Sequence, residues 1–252
     1  MDGFLLVDKP TGITSHDVVH HVRRILGVAT RRTMSQCRVG HAGTLDPFAT
    51  GLLILGLGKA TKQLGRLLGL DKTYEAELML GATSDTFDRD GVITAYDKTG
   101  MMNHAATMQK SDMPEGGMTP PLRENIERVL DQFRGGYEQR APLHSAKKLG
   151  GKKLYDLARA GQATEEMRPT KKIILRELTI VDYAFPLLRI HVHCSSGTYI
   201  RSLADDIGRA LGIGAYLTEL RRTSIGTYPI ENAASLENLK TTEDIKARLF
   251  PI

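Results

Sequence analysis

Cysteine is scarce in this chain of 252 residues, which contains two, Cys37 and Cys194. They lie far apart and belong to no Cys-x-x-Cys pair, which argues against a disulfide framework and against a cysteine-based zinc site. Cys194 falls in an alternating strand pattern and is predicted to be a small buried residue. Two isolated cysteines fit a reducing compartment, so a cytoplasmic location is expected.

Long apolar runs and a targeting segment are also missing. No apolar run in the sequence reaches the roughly 20 residues that a membrane-spanning helix needs. Residues 1–4 contain no basic region of the kind that opens a signal peptide. The sequence therefore predicts no membrane partner.

The sequence contains none of the common phosphate-binding, calcium-binding or hydrolase motifs. The glycine-rich stretch 51–61 departs from the phosphate-loop pattern, because Leu53 and Ala60 occupy positions that the motif reserves for Gly and for Ser or Thr. The stretch 86–91 is a near miss to a calcium loop and is predicted to be a solvated turn. Since the metalloprotease and serine-hydrolase motifs are absent as well, those enzyme classes have no support.

Charge and composition favour a folded protein with a polyanionic partner. Apolar residues make up 41% and charged residues 25% of the chain, as in ordinary globular proteins. The net charge is +5 and the isoelectric point is about 9.2. A modest basic excess favours nucleic acid, although many basic proteins bind none.

Hydrophobic periodicity predicts helices and strands in irregular alternation. Ser15 is predicted to cap a helix that ends at Gly27, and a second helix covers 203–211 before Gly212. Strands are predicted within 52–57, 74–80 and 188–194. This order favours a mixed α/β or α+β domain over a regular doubly wound sheet. The segment from Lys98 to Pro121 lacks any period and is predicted to be a flexible insertion.

Asp46 is the strongest candidate for a functional carboxylate. Pro47 biases the backbone of Asp46 toward an extended conformation. Glycines at positions 43 and 51 allow the chain to bend and to approach a ligand closely. An isolated Asp-Pro pair nevertheless more often begins a plain turn, so the spacing alone does not decide the matter.

The role of Asp46 is decided by seven separated segments, namely residues 3–15, 40–53, 71–74, 145–148, 151–155, 196–201 and 220–222. In their order and content they resemble the TruB family of pseudouridine synthases. The G-x-L-D-P-x-A-x-G element at 43–51 is highly specific, whereas the lysine-rich and Leu-Arg-Arg segments are weak alone. The resemblance reverses the preference for a plain turn at Asp46.

The resemblance implies an α+β fold, with a mixed and largely antiparallel central sheet flanked by helices and RNA-binding loops. It also implies a stand-alone, monomeric isomerase that converts uridine 55 in the T arm of tRNA to pseudouridine. No obligate protein partner, metal or cofactor is expected, because this isomerisation changes neither composition nor oxidation state.

Four residues match catalytic positions of the family. Asp46 corresponds to the nucleophile and Arg201 to the arginine that pairs with it. Tyr199 corresponds to a tyrosine beside that arginine. Tyr74 corresponds to the tyrosine that stacks on the target base and assists proton removal. Without the resemblance, Tyr74 on an alternating strand would be interpreted as a core residue.

Other positions match residues that contact RNA or line the pocket. His41 corresponds to the histidine that fills the space left by the flipped nucleotide, Leu220 to an apolar residue of the pocket, and Asp88 to an acidic residue of the nearby polar network. The remaining predicted RNA-binding residues are Lys9, Thr44, Lys147, Lys148, Lys152 and Lys153. The last four lie in a thumb-like segment near 136–165, although they are also compatible with a solvated face.

The chain departs from the family pattern in three places, of which the segment from Lys98 to Pro121 is one. About 30 residues follow position 222, too few for the RNA-binding PUA domain that often follows, so one catalytic domain over 1–252 is expected. His144 stands where relatives commonly carry an aromatic residue. Two alternatives stay open: a guide-RNA-dependent synthase subunit, and a non-catalytic tRNA-binding or tRNA-folding protein on the same scaffold.

Overall fold

The computed structural model describes residues 1–30, 33, 36–96, 102–103, 119–143, 145, 148–149, 152–154, 157 and 160–251. Lys147, His144 and most of the predicted insertion at 98–121 lie outside these residues. The chain forms two compact units. Unit 1 comprises Met1–Glu75 with Leu220–Ile252, and unit 2 comprises Ala76–Glu219. The single-domain interpretation stays a prediction.

The described elements follow the chain in this order. The strands are β1 (Gly3–Lys9), β2 (Val39–Ala42), β3 (Thr50–Leu57), β4 (Lys72–Leu80), β5 (Ala82–Ser84), β6 (Ile93–Tyr96), β7 (Met102–Asn103), β8 (Tyr137–Arg140), β9 (Lys148–Leu149), β10 (Lys152–Lys153), β11 (Thr170–Ile173), β12 (Leu175–Ala184), β13 (Leu187–Cys194), β14 (Ala215–Ile225), β15 (Tyr228–Pro229), β16 (Ala234–Ser235) and β17 (Leu249–Phe250). The α-helices are α1 (Ser15–Thr30), α2 (Leu64–Leu68), α3 (Arg123–Asp131), α4 (Ile200–Leu211) and α5 (Thr242–Lys246).

Strand β3 lies at the centre of unit 1. It pairs antiparallel with β1 and β2 and parallel with the last part of β14, while β1 also pairs parallel with β16 and antiparallel with β17. The side chains of β3 are buried on both faces of the sheet, in two apolar clusters that also include residues of α1 and α2. The predicted buried strand at 52–57 is therefore confirmed.

Helix α1 is longer than predicted and is capped by a different residue. It continues through Gly27 to Thr30, since a single glycine costs a helix only about 1 kcal/mol and need not end it. Val18, Val22 and Leu26 bury the apolar face of the helix. The amide of Asp17 donates to Thr14 Oγ1 at 3.1 Å, and the amide of Thr14 donates to the Asp17 carboxylate at 2.8 Å. This reciprocal cap makes Thr14 the capping residue in place of Ser15.

Unit 2 contains the β12–β13 hairpin with the later part of β4 beside it. The predicted alternation in β4 and β13 is confirmed, and Cys194 is buried as expected. Helix α4 ends as predicted, since Gly212 adopts a left-handed backbone with φ of 74°. Smaller sheets pair β8 with β11, β9 with β10, and β6 with both β5 and β7.

Mixed pairing with mostly antiparallel strands and a few helices confirms the predicted α+β class. Among the described residues, no helix is long and apolar enough to cross a bilayer. The same residues hold no cluster of His, Cys, Asp or Glu that is suited to a metal ion.

Candidate active site

The Asp46 loop, residues 43–49, connects β2 to β3 in unit 1. Leu45 and Phe48 are buried on either side of Asp46, which is itself half-buried. Their burial anchors the loop in the core, while Thr44 is exposed. The loop therefore holds the half-buried Asp46 between two buried apolar residues.

Residues that follow β1 hold the main chain of the loop. The amide of Gly12 donates to the carbonyl of Pro47 at 2.9 Å, and Thr11 Oγ1 donates to the carbonyl of Phe48 at 2.9 Å. Buried carbonyls need such partners, and here a neighbouring loop supplies them. These bonds restrain the two residues directly after Asp46.

Ser15 restrains the residue directly before Asp46. Its hydroxyl accepts from the amide of Leu45 at 2.8 Å and donates to the carbonyl of Leu45 at 3.1 Å. The hydroxyl is buried and makes both bonds with the same residue. Because Thr14 caps α1, Ser15 is available for the Asp46 loop, a role that the sequence interpretation missed.

Lys9 lies beneath the loop with no exposed surface. Its ammonium donates to the carbonyls of Pro10, Ile13 and Pro47 at 2.9, 2.7 and 3.2 Å. Burial lowers the pKa of Lys9 to about 8, and the nearby carboxylate of Asp46 opposes this shift. Direct RNA contact by Lys9 stays a prediction, whereas its bonds make it a buried cation beside the candidate nucleophile.

Arg222 joins the start of the loop to β3 and was not predicted as a site residue. It is 1% exposed; Nε donates to the carbonyl of Leu52 at 2.8 Å and Nη2 to that of Gly43 at 3.0 Å. Gly51 pairs with Arg222 at a φ of 106°, and a Cβ at position 51 would overlap the Arg222 backbone. The Leu-Arg-Arg match was the one sequence feature that pointed to this residue.

The other predicted residues of unit 1 lie on strands. Tyr74 is buried on β4 and Leu220 on β14. His41 is half-buried on β2, and burial together with the nearby Arg222 lowers its pKa. The imidazole is therefore neutral near pH 7, which suits contact with a base better than a salt bridge with a phosphate.

In unit 2, Arg201 forms a buried ion pair with Asp88. Nη1 of Arg201 lies 3.2 Å from Asp88 Oδ2 and donates to the carbonyl of Thr86 at 3.0 Å. Asp88 also accepts from Thr86 Oγ1 at 2.7 Å and from the amide of Asp90 at 3.0 Å. The expected solvated turn at 86–91 is thus wrong for its central carboxylate. The predicted pairing of Arg201 with Asp46 stays a prediction.

Tyr199 and the thumb lysines also belong to unit 2. Tyr199 directly precedes α4 in an extended conformation. In the two-stranded β9–β10 sheet, Lys148 lies opposite Lys153, and Lys152 lies opposite Leu149. This register brings predicted RNA-binding residues onto adjacent short strands, while Lys147 falls outside the described residues.

Two family models cover most of the chain. The N-terminal domain model of the TruB family of pseudouridylate synthases matches residues 31–115 and 103–200. The chain belongs to this family. The C-terminal domain model of tRNA pseudouridylate synthase B matches residues 201–249. The predicted TruB membership and isomerase class are therefore confirmed.

Individual relatives agree with the family models. A TruB protein of Azoarcus sp. (strain BH72), named tRNA pseudouridine synthase B, is 42% identical over 96% of this chain and 71% of its own length. A relative of the same name from Bordetella avium (strain 197N) is 40% identical over 100% of this chain and 92% of its own length. A chain in the crystal structure of a Cbf5-Nop10-Gar1 complex is 29% identical, with a TM-score of 0.65 over 94% of this chain. This chain spans about half, 53%, of that solved chain.

Proposed function

We propose that this chain converts uridine 55 in the T arm of tRNA to pseudouridine without a guide RNA, and that Asp46 is the nucleophile. Isomerisation of uridine in tRNA follows from membership of the TruB family. The position in the tRNA and the role of Asp46 are the proposal. The observation that carries the proposal is the Asp46 loop, whose main chain is restrained on both sides of the aspartate next to a buried ammonium.

The substrate uridine has to leave its stack before a carboxylate can reach C6 or C1′. Extrusion of a base costs a few kcal/mol, and an aromatic ring recovers about 1–3 kcal/mol by stacking. We assign the first replacement contact to His41, which is neutral near pH 7. Tyr74 is assigned to the face of the flipped uracil.

The reaction balances within the nucleotide. The N1–C1′ bond breaks, the uracil turns, a C5–C1′ bond forms, and the proton on C5 is replaced by one on N1. Asp46 adds either to C6 of the base or to C1′ of the ribose, and it leaves at the end of either route. A carboxylate acts in this way only when ionised, and the Lys9 ammonium beside it favours the ionised form.

The tRNA backbone is assigned to basic residues of the thumb. Lys148, Lys152 and Lys153 are carried by β9 and β10, and each neutralised phosphate contributes to the salt dependence of binding. Their joint replacement by Gln is expected to weaken tRNA binding and to reduce the slope of log Kd against log salt by about 2–3. An unchanged slope would mean that these lysines form a solvated face.

We further propose that the chain works as a monomer in the cytoplasm and needs no protein partner. The test is incubation of the purified chain alone with a tRNA transcript labelled with tritium at uracil C5. We expect release of one equivalent of tritium, and none from a transcript with cytidine at position 55. Release only after addition of a guide RNA would favour the guide-dependent alternative, and tRNA binding without release would favour the non-catalytic one.

A further inference from the structure

A buried side-chain network in unit 2 joins β8 to the start of α4. Gln139 on β8 is 2% exposed. Its Oε1 accepts from the amide of Tyr199 at 2.8 Å, and its Nε2 donates to the carbonyl of Tyr199 at 3.0 Å. Nε2 also donates to the hydroxyl of Tyr137 at 2.9 Å, and that hydroxyl donates to Asp206 Oδ2 at 2.6 Å.

The direction of every bond in this network is determined. The amide of Tyr199 is a donor, so the Gln139 atom that faces it is the oxygen. The two hydrogens on Nε2 then go to the carbonyl of Tyr199 and to the Tyr137 oxygen. Tyr137 consequently gives its own proton to Asp206. Burial and the neighbouring Asp206 raise the pKa of Tyr137, so the phenol keeps this proton at physiological pH.

The network fixes the main chain of Tyr199 on both of its sides. The amide and the carbonyl of Tyr199 are both bound by the Gln139 side chain, and the carbonyl also accepts from the amide of Leu203 at 3.1 Å in the first turn of α4. Asp206 lies further along the same helix, and the bonds therefore brace the first turns of α4 against β8. The backbone of Tyr199 has φ of −98° and ψ of 106°. Because this backbone is restrained, the position of the ring depends on the side-chain torsions alone.

We propose that Gln139 is a positioning residue for Tyr199 in pseudouridine formation and that it acts with the help of Tyr137 and Asp206. This inference rests on the proposed function and on the resemblance to the TruB family, which implies that Tyr199 lies beside the catalytic arginine. Displacement of a reacting group by about 1 Å costs on the order of 100-fold in rate. A structural role alone, in which Gln139 only satisfies buried backbone groups, would leave the rate of folded enzyme unchanged.

The test compares variants of the full chain in the tritium-release assay, with kcat and KM for tRNA measured separately. Gln139→Leu removes the whole network, and Tyr137→Phe removes only the bridging hydroxyl. Tyr183→Phe is the matched control, because the Tyr183 hydroxyl is in the same unit and donates to the carbonyl of Pro121 at 2.8 Å, outside this network. Each rate is referred to the folded fraction, measured by thermal unfolding.

We expect Gln139→Leu to lower kcat by about 10- to 100-fold while KM stays within about twofold. Tyr137→Phe should have a smaller effect of the same kind, and Tyr183→Phe should behave as wild type. In the Tyr199→Ala background, Gln139→Leu should lower kcat by less than about threefold, because the ring that it positions is gone.

Wild-type kcat for folded Gln139→Leu and Tyr137→Phe would overturn the inference, as would the same kcat loss in the presence and absence of the Tyr199 ring. If Gln139→Leu does not fold, Tyr137→Phe decides alone. An inactive wild-type chain would overturn the proposed function together with this inference. An active wild type with unaffected variants would overturn the inference only.

Discussion

The Asp46 loop of unit 1 and the start of α4 in unit 2 are both restrained by polar side chains, through main-chain atoms in the loop and through a guanidinium at the start of α4. Around Asp46, the hydrogen bonds from Lys9, Thr11 and Ser15 reach main-chain atoms of the adjacent residues. At the start of α4, the guanidinium of Arg201 is itself bound, by the Asp88 carboxylate and the Thr86 carbonyl. The candidate nucleophile thus lies in a loop whose main chain is restrained by its neighbours, whereas the Arg201 guanidinium is bound directly by a carboxylate.

Removal of that counter-charge should give the largest loss of stability. The side chains of Arg201 and Asp88 are 7% and 6% exposed, and a buried pair that loses one partner typically costs about 3–5 kcal/mol. We expect Asp88→Ala to lower the free energy of unfolding, measured in urea, by that amount. Glu127→Ala, which breaks an exposed ion pair with Arg134, should cost about 0–1 kcal/mol. Equal losses for the two variants would contradict the difference between buried and exposed pairs.

Arg222→Lys tests whether the connection between the start of the Asp46 loop and β3 needs a planar donor. A lysine cannot supply two fixed N–H groups to the carbonyls of Gly43 and Leu52. We expect a loss of about 1–3 kcal/mol in unfolding free energy and a lower kcat at unchanged KM. The control is Arg221→Lys on the same strand, where the arginine forms a half-exposed pair with Asp8. If both substitutions lowered kcat equally, Arg222 would have no special relation to the loop.

Substitutions of Ser15 and Thr14 distinguish the effect of restraining the Asp46 loop from the effect of capping α1. Ser15→Ala removes two hydrogen bonds to Leu45, and Thr14→Ala removes the cap of α1. Each should lower stability by about 1 kcal/mol, yet only Ser15→Ala should lower kcat. A kcat loss in Thr14→Ala as well would show that α1, and not the main chain beside Asp46, sets the rate.

The smallest expected effect concerns pH. Because burial lowers the pKa of Lys9 to about 8, its ammonium is charged below that pH and neutral above it. Loss of the charge beside Asp46 removes an attraction for the carboxylate, so kcat should fall about two- to fivefold as the pH rises through 8. Lys9→Met should have a lower kcat without this step near pH 8. If the step persisted in Lys9→Met, another group would be responsible.

The two regions also differ in what the sequence predicted. The Asp46 motif and the Tyr199–Arg201 segment are short, local patterns, so they can be recognised in the sequence. The hydrogen bonds that restrain the Asp46 loop join residues far apart in the sequence. Ser15 and Leu45 are 30 residues apart, and Arg222 and Gly43 are 179 residues apart. Such partners are chosen by the tertiary fold, which no local pattern encodes. For the same reason the local pattern predicts a helix cap at Ser15 and a solvated turn at Asp88, and both predictions differ from the structure.

Helices and strands with a strong hydrophobic period agree with the sequence prediction better than the positions of their ends do. The alternation in β4 and β13 depends only on which face is buried, and it agrees with the structure. The end of α1 was placed at Gly27, although the helix continues to Thr30. One glycine costs a helix about 1 kcal/mol, which the apolar contacts of Leu26 and its neighbours on α1 offset.

The most direct test of the account is single-turnover tritium release by Asp46→Asn with tRNA as the substrate. The amide is nearly isosteric with the carboxylate, and folding and tRNA binding are measured in the same preparation, so that rates are compared only between folded, tRNA-bound enzymes. We predict that the rate of release falls by at least about 10⁴-fold. Release by folded Asp46→Asn at a rate near that of wild type would contradict the assignment of Asp46 as the nucleophile.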